Sequence, residues 1–135
     1  MPRQELCRPR QIAEWLEEWG RVLPSMGSLI LIGSGGLLWH AHERGSDKPL
    51  PENSMDVDPI TEDDDVARLG YDAMIGSEFE LQRGWHVNLM PREVLRELPA
   101  GWEARAGRRV YGRLTVIVPS PADLIAPKLR RGEPR

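Results

Sequence analysis

Apolar residues recur at helical spacing over positions 9–22. Ile12, Trp15, Leu16 and Trp19 share one side, and Glu14, Glu17 and Glu18 share the other. Pro9 suits a first helical turn, and Gly20 with Pro24 marks the end. This stripe predicts a helix packed on the domain's own sheet. Residues 28–32 (SLILI) form a short continuous apolar run, read as a buried strand. Gly33-Ser34-Gly35-Gly36 then predicts a turn into a second helix over 37–43. A polar loop follows over 45–54. Residues 55–60 (MDVDPI) alternate apolar and acidic side chains, which is a strand period, and Pro59 points to an edge or a strand end.

Thr61 is predicted to cap a helix over 62–69, with acids in its first turn. A further helix is expected over 71–81, interrupted near Gly76 and Ser77. Residues 85–90 (WHVNLM) read as a strand, and residues 92–98 as a short helical stretch between prolines. Residues 109–118 read as one bent strand or a hairpin pair, and 122–131 as a last helix capped by Ser120-Pro121. Helices with four or five strands in mixed order predict one α+β domain over 1–135, built on a small mixed sheet flanked by helices.

At 135 residues the chain is long enough to bury a core without disulfides. Its single cysteine, Cys7, excludes an internal disulfide framework and a cysteine-based zinc site. No apolar run reaches the roughly 18 residues that span a bilayer. The charged first ten residues lack the apolar stretch of a secretory signal, so no membrane association and a cytoplasmic location are expected. Charge is segregated. Positions 43–80 hold twelve acids against three bases, whereas 102–135 hold eight bases against three acids. That arrangement suits cations in the middle and a polyanion at the end, and equally suits two solvated surfaces.

Chemistry concentrates where a buried strand meets Gly33 and Ser34 and where Asp56 and Asp58 share a strand face, since residues i and i+2 point the same way. Two adjacent carboxylates repel, and a divalent cation relieves the conflict. Hard oxygen ligands suit Mg²⁺ or Mn²⁺ completed by phosphate oxygens and water. The glycines and the helix start after them suit an anion. A lone histidine such as His86 is read as structural. His40 and His42, two apart on a helix, make a poor metal pair. Arg105, Arg108, Arg109 and Arg113 read equally as a track for a nucleic-acid backbone and as a solvated hairpin. Trp85 and Trp102 are assigned to the core.

The stretches LILIGSGG, SMDVDPI, GSEFELQRGWHVNLMP and PSPADLIAPKLRRGEPR together resemble the nucleotidyltransferase superfamily of polymerase-beta-like fold. They are most similar to small bacterial proteins of toxin–antitoxin and phage-defence loci. The resemblance implies a nucleotidyltransferase-like core and Mg²⁺ (or Mn²⁺) as cofactor. It implies a nucleoside triphosphate as substrate, an RNA or protein acceptor and an antitoxin-like partner. It assigns Gly33, Ser34 and Lys128 to the triphosphate, and Asp56 and Asp58 to metal and catalysis.

Two departures from the family pattern stand out. The interval from Gly33 to Asp56 is long. The position that aligns with a third metal-binding carboxylate carries Asn88, a neutral amide that can coordinate only through its oxygen and cannot act as a base. Relatives also continue beyond Arg135, so the chain is expected to be short at its C-terminus. Two readings follow: metal-dependent nucleotidyl transfer, or a non-catalytic relative that binds nucleotide, RNA or a partner protein. A dinucleotide-binding domain is a third reading, weakened by the missing third glycine and second βαβ unit.

Overall fold

The computed structural model describes Leu6, residues 8–50 and residues 55–131, with side chains through residue 126. Cys7 and part of the 45–54 loop lie outside the described residues. The order is α1 (Pro9–Val22), β1 (Gly27–Ile32), α2 (Gly33–Glu43), β2 (Asp56–Ile60), α3 (Asp64–Tyr71), α4 (Glu78–Arg83), β3 (His86–Val87), a 3₁₀ helix (Arg92–Glu97), α5 (Trp102–Arg105), β4 (Gly107–Tyr111), β5 (Leu114–Val118) and α6 (Pro121–Arg131). About 47% of the chain is helical and 21% strand, an α+β fold with a mixed sheet flanked by helices.

The described strands form one sheet in the order β3-β2-β1-β5-β4. β1 runs antiparallel to β2 and parallel to β5; β2 is parallel to β3, and β4 is antiparallel to β5. A mixed sheet of this order is not the doubly wound parallel sheet of a dinucleotide-binding domain, and that reading is set aside.

The register sorts side chains onto two faces. Leu29, Leu31, Val57, Val87 and Val116 fall on one and are buried. Ile30, Ile32, Asp56, Asp58, His86 and Ile117 fall on the other and stay partly exposed. α2 lies on the buried face and approaches it closely through glycine. A Cβ on Gly35 would lie 3.3 Å from Val57, and one on Gly36 would lie 2.9 Å from Leu124 and 3.0 Å from the Leu31 carbonyl oxygen. α1 buries the predicted stripe of Ile12, Trp15, Leu16 and Trp19 in the same core. Trp15 packs edge-on against Trp19 and Trp85, and Phe79 packs edge-on against Trp85. All five tryptophans are buried, Trp102 included, so none is presented for base stacking. A Trp39 Nε1–H donates to Tyr111 Oη at 2.8 Å and ties α2 to β4.

Several boundaries differ from the sequence reading. The glycines are not a turn, because α2 begins at Gly33 itself. Glycine's low helix propensity hides a helix whose first turn must pack closely on the sheet. α3 starts at Asp64, not Glu62, because Thr61 is engaged elsewhere. Its Oγ1 donates to the Ser28 carbonyl at 2.7 Å and accepts from the Asp63 N–H at 3.1 Å. The expected 71–81 helix is reduced to α4, capped by the Ser77 hydroxyl accepting from the Glu80 N–H. The expected 85–90 strand pairs only over His86–Val87. β2 is interior, not an edge; Pro59 is tolerated near its end, where its carbonyl still accepts from the Met90 N–H. α5 has no counterpart in the sequence reading. The 109–118 segment is a hairpin turning at Gly112, whose φ is +60°.

Candidate functional site

β1 ends at Ile32 and delivers the chain directly into α2, so Gly33 and Ser34 sit where the strand's carboxyl end meets the helix N-terminus. On the neighbouring strand the register sets Asp58 opposite Ile32. Gly33 has φ +73°, a conformation that side chains disfavour. A Cβ there would also lie 2.7 Å from Asp58 Oδ2. Glycine is thus needed twice over, once for the backbone and once to let the carboxylate approach. An acid at the start of a helix is favoured by the dipole and by the unpaired first-turn N–H groups.

Asn88 follows β3 and meets Asp58 from the far side. Its Nδ2 donates to Asp58 Oδ1 at 3.2 Å and lies 3.4 Å from Met90 Sδ. Burial, and then the nearby Asp56 charge, push the Asp58 carboxyl up to about 6, against the opposing effects of the Asn88 hydrogen bond and of His86. Asp56, two residues earlier on the same face, sits opposite His86 across the β2–β3 pair. His86 Nε2 lies 4.0 Å from Asp56 Oδ2. His86 Nδ1 lies 2.9 Å from Glu80 Oε2, which requires the proton on Nδ1 because a carboxylate only accepts.

Asp58 and Ser34 open onto a cleft of about 250 Å³. Ile32 at the end of β1, Gly33 and Ser34 at the start of α2, and Asp58 of β2 line it. The rest of the lining is Met90, then Val94 and Glu97 of the 3₁₀ helix, Leu98 just after it, Leu37 of α2, and Leu124 and Ile125 of α6. Asp56 lies outside this lining. Gly35 and Gly36 serve packing and do not face the cleft. Lys128 is on α6, four positions after Leu124, and its side chain lies outside the described residues.

Most of the remaining sequence candidates have structural work. His40 Nε2 lies 2.7 Å from the Pro119 carbonyl oxygen. Three of the four clustered arginines are held internally. Arg105 makes two 2.9 Å bonds to Asp123, Arg109 one to Glu43, and Arg113 one to the Leu23 carbonyl. Arg108 is exposed. The sequence reading missed Glu97, which lies seven residues beyond the predicted 85–90 strand on a segment with no strong period. It also undervalued His86, whose two carboxylate neighbours come from different elements.

Among the described residues, no group of three or more His, Cys, Asp or Glu side chains is placed to hold a metal ion. No described helix is long and apolar enough to cross a membrane. No family model, curated protein or solved structure matches the chain.

Proposed function

We propose that the cleft binds a nucleoside triphosphate together with Mg²⁺ or Mn²⁺, and that the chain transfers a nucleotidyl group from it to an RNA or protein acceptor. The observation that carries this reading is the convergence of Ser34, the α2 N-terminus and Asp58 on one cleft, with Asp56 on the same strand face. Phosphate oxygens suit the first-turn N–H groups and the Ser34 hydroxyl. The Asp58 carboxylate meets the same helix end. Phosphate and carboxylate repel there unless a cation lies between them.

The donor set fits such a cation. Asp58 is a carboxylate whose charge is poorly solvated, Asp56 adds a second negative charge on that face, and both offer hard oxygen. Two carboxylates do not complete a coordination shell, which agrees with an ion completed by phosphate oxygens and water. When bound, the ion supplies charge neutralisation at the phosphoryl oxygens. Gly33 and Ser34 hold the phosphates, Asp56 and Asp58 orient the ion, and Lys128 is assigned to the triphosphate on the resemblance alone. The nucleotidyltransferase-like core and the antitoxin-like partner likewise rest on the resemblance.

Asn88 favours a second reading, a nucleotide-binding relative with slow or no transfer. Its N–H₂ occupies an Asp58 oxygen, it adds no negative charge, and it accepts no proton. Transfer of label from α-labelled triphosphates to RNA and protein acceptors separates the two. Labelled acceptor that disappears in Asp58→Asn supports transfer; bound but unconsumed triphosphate supports the second reading.

A further inference from the structure

Glu80, His86 and Asp56 come together from α4, β3 and β2. His86 is partly buried and has a carboxylate on either side. Its Nδ1 lies 2.9 Å from Glu80 Oε2, and its Nε2 lies 4.0 Å from Asp56 Oδ2. Glu80 is itself anchored. Its Oε1 accepts from the Gly76 N–H at 2.8 Å, and its own N–H donates to the Ser77 hydroxyl at the start of α4. With the ring neutral, the proton sits on Nδ1 toward Glu80, so Nε2 turns a lone pair to Asp56 Oδ2. Two acceptors then face each other, and a cation between them removes the conflict.

The span fits one ion. Donors that sit about 2.0–2.2 Å from a divalent ion lie at most roughly 4.4 Å apart. A histidine that ligates metal through one ring nitrogen commonly donates its other N–H to a carboxylate, which fixes tautomer and ring orientation. The Glu80–His86 pair has that form. Two residues on, Asn88 meets Asp58 with only an amide N–H. The donor that position 88 lacks is thus offered as a nitrogen at position 86. Two protein donors leave the rest of the shell to phosphate oxygens and water, in keeping with the absence of a three-ligand group among the described residues. First-row transition ions accept a nitrogen donor, whereas Mg²⁺ keeps to oxygen. We infer that His86 Nε2 is a ligand of the cation beside Asp56, held in place by Glu80, and that the site takes a transition ion such as Mn²⁺ in preference to Mg²⁺; this rests on the metal–triphosphate reading given above.

The test is calorimetric titration of the full chain with Mn²⁺ and with Mg²⁺, each alone and with each of the four nucleoside triphosphates, in wild type, His86→Gln and Glu80→Gln. Wild type should bind Mn²⁺ at least about tenfold more tightly than Mg²⁺. Each variant should lower Mn²⁺ affinity by about 10–100-fold and leave Mg²⁺ within about twofold of wild type. Circular dichroism checks folding. Should His86→Gln fail to fold, Glu80→Gln and the ring's own signal carry the test. That signal is long-range ¹⁵N–¹H NMR of the three imidazoles during Zn²⁺ titration, in which His86 Nε2 should shift. Absent or equal binding of the two ions, Mn²⁺ binding that survives both variants, or a His86 ring protonated on both nitrogens and unmoved by Zn²⁺ overturns the inference. Triphosphate bound with Mg²⁺ in those cases leaves the metal–triphosphate reading intact. If no triphosphate binds with either ion while Mn²⁺ still binds through His86, that reading falls and the ligand assignment stands.

Discussion

Gly33 at the start of α2 and Asp58 on β2 lie so close that a Cβ on the glycine would lie 2.7 Å from the carboxylate's Oδ2. The glycine's φ of +73° adds a second reason against any larger residue. Gly33→Ala is expected to cost about 1–3 kcal/mol in urea unfolding. In an Asp58→Ala background the cost should be smaller, since only the backbone strain remains. Equal penalties in the two backgrounds would mean that the carboxylate contact is not what the glycine accommodates.

Gly36 tests a packing role instead of a ligand role. Alanine in a helix is normally better than glycine by about 1 kcal/mol. Here its Cβ would meet Leu124 at 2.9 Å and the Leu31 carbonyl at 3.0 Å, and that backbone oxygen cannot swing away. Gly36→Ala should therefore destabilise, by about 1–3 kcal/mol. A stabilised variant would show that α2 can lift from the sheet at little cost.

Asp58 makes the pH dependence specific. Its carboxyl is pushed from 3.8 up to about 6 by burial and the Asp56 charge, so between these values the folded chain holds a proton that the unfolded chain releases. Stability from this group therefore falls as pH rises from about 4 to 6 and stays low above. Asp58→Asn should flatten that part of the profile and be more stable at pH 7 by roughly 1–2 kcal/mol, discounted for partial exposure. An Asp58→Asn variant less stable than wild type at pH 7 would show that the ionised carboxylate is well satisfied as it stands.

Much of this arrangement was legible in the sequence and some was not. SLILI, MDVDPI and the Ile12–Trp19 stripe declare their elements by period alone, and the i, i+2 rule sets Asp56 and Asp58 on one face. The GSGG segment misleads, because its glycines are there for φ at Gly33 and for close helix packing at Gly35 and Gly36, reasons that only the tertiary neighbours supply. Thr61 has the right chemistry for a cap, but Ser28 competes for its hydroxyl. Glu97 and the Glu80–His86 contact depend on where irregular segments return to the sheet, which no local pattern encodes.

Asn88→Asp replaces a donor to Asp58 by a third negative charge. Without metal it should lower stability at pH 7 by about 1–3 kcal/mol, because the Nδ2 hydrogen bond is lost and like charges meet. Added Mg²⁺ should recover more stability in this variant than in wild type, and transfer from α-labelled triphosphate should rise. A variant as stable as wild type, with no added response to Mg²⁺, would show that position 88 does not face the metal.

Thermal unfolding with and without Mg²⁺ plus nucleoside triphosphate, in wild type and in Asp58→Asn, tests the cleft most directly. A ligand held only by the folded chain at about a hundred times its Kd stabilises by roughly 2.7 kcal/mol. Wild type should show a gain of that order with both components together, a smaller one with triphosphate alone, and Asp58→Asn should lose the metal-dependent part. No gain in wild type, or an equal metal-dependent gain in both proteins, would contradict a metal–triphosphate site at Asp58.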